Sequence, residues 1–255
     1  MRHGLPSTTH FFFTTTPLPC PYLAERVERR MVTELMGMDA ARLNDKLSMA
    51  GFRRSHTIAY APVCDGCSAC VSVRVPAGDF KANRTQRRIL NRNEDLLVEE
   101  RAPIATREQY DLFSAYISTR HGDGDMAMMG HSDYRALVEE TPVPSNLIEF
   151  RNPEGRMVAG CLTDRLGDGL SAVYSFFDPE DTRRSLGTYV VLWLIERAQE
   201  LGLDHVYLGY WVQGSPKMDY KRNFRPLEAY TPDGWKRLAD SPTRKLSSKP
   251  QSDNE

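Results

Sequence analysis

Along the second half of the chain, apolar residues come in short dense runs separated by turn formers, whereas elsewhere they recur at helical spacing. The runs NLIEF at 146–150, RMVAGCLTD at 156–164 and LSAVYSFFD at 170–178 read as three successive strands. NPEG at 152–155 and GDG at 167–169 supply the turns between them. HVYLGYWV at 205–212 is apolar enough to be a further, buried strand, and before it a helix is predicted from about Ser185 to Leu201, stopped by Gly202. Upstream, Tyr110, Phe113, Tyr116 and Ile117 lie on one face of a predicted helix over 107–122, and a second helix should begin near Ser132.

The first hundred residues are patterned more sparsely. Pro17, Pro19 and Pro21 exclude a regular helix over 14–21. Val27, Met31 and Leu35 suit a helix and a strand equally. Asp39 can cap a helix running through Leu47 toward Gly51, and HTIAYAPV at 56–63 reads as a strand. The alternation Val71-Ser72-Val73-Arg74-Val75 reads as another strand, and 84–94 as a short helix with a basic face. No internal repeat is present. The expectation is an α+β protein: a smaller cysteine-containing domain over 11–100, an α+β domain over 101–240, and a polar tail at 241–255 that should be disordered.

Composition narrows the function classes. With 255 residues, 40% hydrophobic and 26% charged, the chain suffices for one large domain or two modest ones. A formal net charge of −1 provides no global field for nucleic acid. The charge is nevertheless uneven: Arg74, Lys81, Arg84, Arg87, Arg88 and Arg92 stand against the single acid Asp79 between residues 74 and 92. Such a segment can track a phosphate backbone, although a solvated helix face is the commoner reading. No apolar run spans a membrane, and Phe11-Phe12-Phe13 is too short for a secretory signal, so a cytoplasmic protein is expected.

Three stretches carry candidate chemistry. In VCDGCSACVSVRV at 63–75, Cys64, Cys67 and Cys70 have the spacing of metal ligands, and with Cys20 they could complete a four-sulfur site for zinc or an iron–sulfur cluster. The alternative is a reduced, partly buried set of small side chains; Cys161, inside an apolar run, reads as core. In 178–198, Arg183, Arg184 and Gly187 open a helix whose exposed amides would suit an anion, and Arg184-x-x-Gly187-x-Tyr189 is a degenerate form of the phosphate-binding turn of acetyltransferase-like folds. In 207–226, Tyr207, Tyr210, Trp211, Tyr220 and Phe224 interleave with Lys217, Lys221, Arg222 and Arg225, a combination suited to a terminal nucleotide or an acidic ligand. Gly214-Ser215-Pro216 would end the strand there and present Lys217.

Taken in order, Cys20-Pro-Tyr-Leu, GFRRS at 51–55, YAPVCDGCSACVSVRVP at 60–76, LSAVYSFFDP at 170–179, RSLGTYVVLWLIERA at 184–198 and YLGYWVQGSPKMDYKRNFRP at 207–226 resemble the arginyl-tRNA–protein transferase family, in its bacterial, leucine-transferring branch. The likeness runs from about Phe11 to Leu238. It implies an acetyltransferase-like (GNAT-like) C-terminal fold that uses aminoacyl-tRNA in place of acyl-coenzyme A. It also implies leucine transfer from Leu-tRNA to the N-terminal α-amine of proteins beginning with Asp or Glu, which marks them for N-end rule degradation. Neither a membrane nor DNA is an implied partner. Eukaryotic arginyl-transferring relatives have an adjacent cysteine pair, an arrangement this chain lacks.

Aminolysis of an aminoacyl ester requires no cofactor and depends on positioning. For that reaction Arg74 and Lys217 are the candidates to capture the acceptor carboxylate, Tyr220 to donate to the oxyanion or relay a proton, and Asp178 to orient the amine. Arg184 would meet phosphate at the helix start, and Arg87 and Arg88 the tRNA backbone. The competing readings are arginyl transfer to the same acceptors, an acyl-coenzyme A-dependent N-acetyltransferase, and a non-catalytic RNA-binding module.

Overall fold

The computed structural model describes residues 9–120 and 128–238. The first elements are β1 (Phe13–Thr14), β2 (Leu18–Pro19), β3 (Val27–Glu28), β4 (Arg30–Glu34), α1 (Ala40–Met49), β5 (Arg53–Ser55) and β6 (Ile58–Pro62). They are followed by β7 (Cys70–Pro76), α2 (Arg84–Arg92), β8 (Leu97–Arg101), α3 (Arg107–Arg120) and α4 (His131–Glu139). The chain continues through β9 (Ser145–Arg151), β10 (Met157–Arg165), β11 (Gly169–Phe177), α5 (Leu186–Glu200), β12 (His205–Val212), β13 (Glu228–Thr231) and β14 (Gly234–Arg237). The tail expected at 241–255 lies outside the described residues.

The dense apolar runs became β9, β10, β11 and β12 because both faces of these strands are covered. On one face α2 and α5 pack Ile89, Leu194, Ile195 and Ala198 against Val73, Val75, Val206 and Phe150. On the other, α3 and α4 close Phe113, Ile117, Tyr134 and Leu137 over Leu147, Leu162 and Phe176. The ambiguous segment at 24–35 is strand: β4 pairs antiparallel with β6 along its whole length, from Arg30↔Pro62 to Glu34↔Ile58, and that pairing outweighs a period that fitted a helix equally well. Helix α2 starts through a capping box, with Asn83 accepting from the Gln86 amide and Gln86 accepting from the Asn83 amide. No helix among the described residues is long and apolar enough to cross a membrane.

Strands β1-β4-β6-β5 form a small sheet, and β14-β13-β7-β12-β11-β10-β9-β8 form a large one. The antiparallel run β8 to β11 continues through α5 into the parallel neighbour β12, which is the expected α+β, acetyltransferase-like plan. Strand β7, from before residue 100, lies between β12 and β13, so the segments on either side of that point share one sheet.

The parallel pair is short. β11 and β12 are in register only over Gly169–Ser171 and His205–Tyr207, and then diverge although each strand runs on. The three-residue strand β5 is placed at this split. Its neighbours Arg53 and Arg54 point to opposite sides, as adjacent strand residues must. Arg54 makes two bonds to Asp164, Nε–Oδ2 at 2.6 Å and Nη2–Oδ1 at 2.7 Å, with both side chains 1% exposed. Arg53 enters the split itself, donating to the carbonyls of Leu208 at 3.0 Å, Ala172 at 2.9 Å and Val173 at 3.0 Å. Gly209 sits beside it at φ +73°, where β12 is bulged against β7, and a Cβ there would lie 1.1 Å from Arg53 Nη1.

Removing one partner of the Arg54–Asp164 pair strands a buried charge. Arg54→Met should therefore lower unfolding stability by about 3–5 kcal/mol, and Arg54→Met combined with Asp164→Leu should recover most of that loss. Urea denaturation of the parent, single and double variants measures both; a loss below about 1 kcal/mol for the single change would contradict the role given to the pair.

Candidate active site

Two features flank Tyr210 on β12. The first is a cavity between the small sheet and the end of β7, with Cys20, Cys64, Cys67 and Cys70 among its walls, so Cys20, remote in sequence, does converge on the other three. The loop is held by the Cys67 amide donating to the Cys64 carbonyl at 3.3 Å, and Cys20 by its own amide donating to Arg26 O at 2.8 Å. Burial first, and then Cys20, Cys64, Cys67 and Glu28, push the Cys70 thiol up to about 12. Arg30 pairs with Glu28 at 2.6 Å and lies over the Tyr60 ring, 5.0 Å from its centroid.

The zinc or iron–sulfur expectation at Cys20, Cys64, Cys67 and Cys70 is not supported by this donor set. Among the described residues no group of three or more His, Cys, Asp or Glu side chains is arranged to hold a metal ion. The Cys64 sulfur is turned to the backbone of Arg29, accepting from its amide at 3.4 Å. The cysteines form a packed wall.

The second feature is the split between β11 and β12, where Tyr220 and Lys221, on the turn Asp219–Asn223, feel the charge of Arg53. Lys221 is 5% exposed, and its Nζ donates to Tyr210 O at 2.6 Å. Burial, and then the Arg53 charge, hold its pKa well below the usual lysine range. Tyr220 is 41% exposed, and burial of its hydroxyl, then Tyr116, push it up to about 12.

The other residues singled out from the sequence are dispersed. Arg74 is four residues along β7 from Cys70, about 13 Å at strand rise, and its charge is already met. It donates to Glu228 at 2.8 Å and to Tyr207 at 3.0 Å, lies 3.7 Å from Asp168, and stacks 4.4 Å from the Trp235 centroid. Capture of a substrate carboxylate by Arg74 would have to displace this network. Asp178 closes the turn after β11, bonded to Arg156 at 2.7 Å and to the Glu180 amide at 3.0 Å. Arg184 is clamped to Asp95 by bonds of 2.6 and 2.8 Å, away from a free role at the start of α5. Lys217 is exposed in the loop after β12, and Arg87 and Arg88 are exposed on α2. Sequence reasoning missed Arg53 and passed over Lys221; the first stood in plain view in GFRRS, as a doubled arginine on a strand too short to need one.

Comparison with known proteins places this arrangement. Residues 108–231 match the family described as arginine-tRNA-protein transferase, C terminus, and residues 18–88 match its N terminus. The chain belongs to the arginine-tRNA–protein transferase family. Similar proteins occur in Paramagnetospirillum magneticum, 56% identical over 94% of this chain and 98% of the relative, and in Gluconacetobacter diazotrophicus, 53% identical over 92% and 90%. A third, from Rhodospirillum rubrum, is 52% identical over 92% and 96%, and all three are named aspartate/glutamate leucyltransferase. Among solved structures, L-PGS from Bacillus licheniformis (TM-score 0.45, 14% identity) covers 70% of this chain and 52% of its own, and FemX (0.43, 11%) covers 73% and 63%. As a member of the family, the chain is an aminoacyltransferase.

The thiol chemistry of the cysteine cavity can be tested directly. A thiol titrating at about 12 is roughly a thousandfold less ionised at pH 8 than a free one, so Cys70 in the native protein should alkylate at least about a hundredfold more slowly than the same residue in urea. Its rate should climb about tenfold per pH unit through the alkaline range, because its pKa is raised and the thiolate appears only there. Mass-mapped iodoacetamide labelling would show this, and a native rate near the unfolded one would refute the burial argument.

Proposed function

We propose that this protein transfers leucine from Leu-tRNA to the N-terminal α-amine of proteins that begin with Asp or Glu, marking them for N-end rule degradation. The observation that carries the reading is identity of 52–56% to proteins named aspartate/glutamate leucyltransferase, sustained over nine-tenths or more of both chains. The family itself sets aside the acyl-coenzyme A and purely RNA-binding alternatives, and leaves arginine as the rival donor.

In the reaction the acceptor nitrogen attacks the ester carbonyl of leucine, a tetrahedral oxyanion forms, and the bond to the terminal ribose oxygen breaks. The amide bond forms, and the proton lost by nitrogen ends on the departing tRNA hydroxyl. An α-amine with a pKa of about 8 is partly neutral at cellular pH, so positioning rather than a strong base carries most of the acceleration. Tyr220 is the proposed oxyanion donor: it borders the split and remains protonated across the working range, because its pKa is raised. Lys217, exposed in the loop after β12, is proposed to meet the 3′ end of the donor rather than the acceptor carboxylate, and the exposed Arg87 and Arg88 the tRNA backbone.

Two experiments test the proposal. With tRNA charged separately with labelled leucine or arginine, label should pass from Leu-tRNA to peptides beginning with Asp or Glu and not to the same peptide beginning with Ala. Transfer only from Arg-tRNA would replace the donor, and transfer from neither would remove the proposed function. Charge reversal at Arg87 and Arg88 should weaken binding of different tRNAs alike and flatten the log–log salt dependence by roughly one unit per lost phosphate contact. An unchanged slope would return that helix to a solvated face.

A further inference from the structure

A site that selects a carboxylate needs a cation whose charge is not already met. Most withdrawn cations of this chain fail that condition: Arg30 is met by Glu28, Arg54 by Asp164, Arg74 by Glu228, Arg151 by Glu149 and Arg184 by Asp95. Arg53 and Lys221 meet it. Among the described residues each is held by backbone carbonyls, and no carboxylate lies within ion-pairing distance of either. Their carbonyl partners on β12, Leu208 and Tyr210, are two residues apart, about 7 Å at strand rise, in the stretch where β12 has left β11.

Two like charges drawn out of water beside one another are costly, and a lysine can relieve the cost by giving up its proton. The groups that face Lys221 are the Arg53 guanidinium from β5, the Tyr210 carbonyl of β12 and its own neighbour Tyr220, which in turn faces Tyr116 of α3. None is an anion at neutral pH. Arg53 has five N–H groups and gives three to carbonyls, which leaves donors for a ligand.

We propose that the Arg53–Lys221 pair is the seat of the acceptor's side-chain carboxylate, and is therefore what selects Asp and Glu at the acceptor N-terminus. The inference rests on the leucyl-transfer reading and deepens it. An arriving carboxylate supplies the missing counter-charge, so Lys221 takes up a proton and closes an ion pair on it while Arg53 donates from the apex of the split. An isosteric amide offers no charge, leaves Lys221 neutral, and gains nothing from the pair. Arg74 and the cysteine wall then support the sheet and do not touch the carboxylate.

The test is discrimination rather than activity. Lys221→Met keeps the length of the side chain and removes the amine. Leucine transfer to matched peptides beginning with Asp, Glu, Asn and Ala should show the Asp-over-Asn ratio of kcat/KM falling at least tenfold in the variant, mainly through KM for the acidic peptides, with Leu-tRNA KM unchanged. A folded, active variant that keeps the parent ratio would overturn the proposal, since a merely structural lysine would lower all acceptors alike. The parent protein gives a second measurement that requires neither the variant nor turnover. Calorimetry at pH 8 in buffers of different ionisation heat should show Asp-peptide binding taking up more protons than Asn-peptide binding, the acceptor α-amine cancelling between them. Equal uptake would overturn the proposal even if Lys221→Met fails to fold, whereas absence of transfer by the parent from any donor would count against the leucyl-transfer reading instead.

Discussion

The arrangement depends on two consecutive arginines on a strand of three residues. Because side chains alternate across a strand, Arg53 and Arg54 must leave β5 in opposite directions, and each is caught by a part of the large sheet far away in the chain. Arg54 meets Asp164, 110 residues on, which Ser145 also holds at 2.6 Å. Arg53 spans three carbonyls on two strands, a reach that suits the planar fork of a guanidinium and that a lysine could not reproduce. A buried pair of this kind returns little net stability over an apolar contact, but it sets register: the small sheet can sit in one place only. Gly209 makes the same demand from the other side, because any side chain there would occupy the space of Arg53.

The split follows from the brevity of the β11–β12 pair. Once two strands diverge, their facing carbonyls lose their ladder partners and must be satisfied by something else. Here the partners are side-chain nitrogens, the Arg53 guanidinium for Ala172, Val173 and Leu208, and the Lys221 amine for Tyr210. A chain with a formal net charge of −1 thus carries, at the split, a guanidinium with no acid partner among the described residues. Overall composition cannot report this, since the compensating acids are distributed over the surface and over other pairs.

What was legible in the sequence follows from the range of the interactions concerned. The strands from Ser145 to Phe177 and helix α5 were readable because dense apolar runs and turn residues are local signals. The segment at 24–35 was not, since its state is set by pairing with β6. A boundary near residue 100 looked natural by composition, yet β7 is paired with β12 over residues more than a hundred positions away. Arg74 looked available because its partners, Tyr207 and Glu228, are 133 and 154 positions distant. Among the four cations between 217 and 225, no local pattern shows that Lys221 is the one turned inward. The cysteine spacing correctly indicated convergence, but spacing does not orient sulfurs, and convergence without orientation is not a metal site.

The cysteine cavity and the split are not independent, because Tyr210 belongs to both. Its hydroxyl donates to Tyr60 O at 2.9 Å, and its ring, 5.9 Å from that of Tyr60, helps close the cysteine cavity. Its carbonyl, on the same residue, holds Lys221 in the split. Packing around Cys70 therefore fixes the backbone that positions the lysine, through one residue and without any bond from sulfur to substrate. This gives the cysteine wall a mechanical reason to be crowded and apolar: a loose wall would let Tyr210 shift, and a shift of an ångström is enough to misplace a charged group on which selection depends. The thiols are small, half-buried side chains suited to such a space.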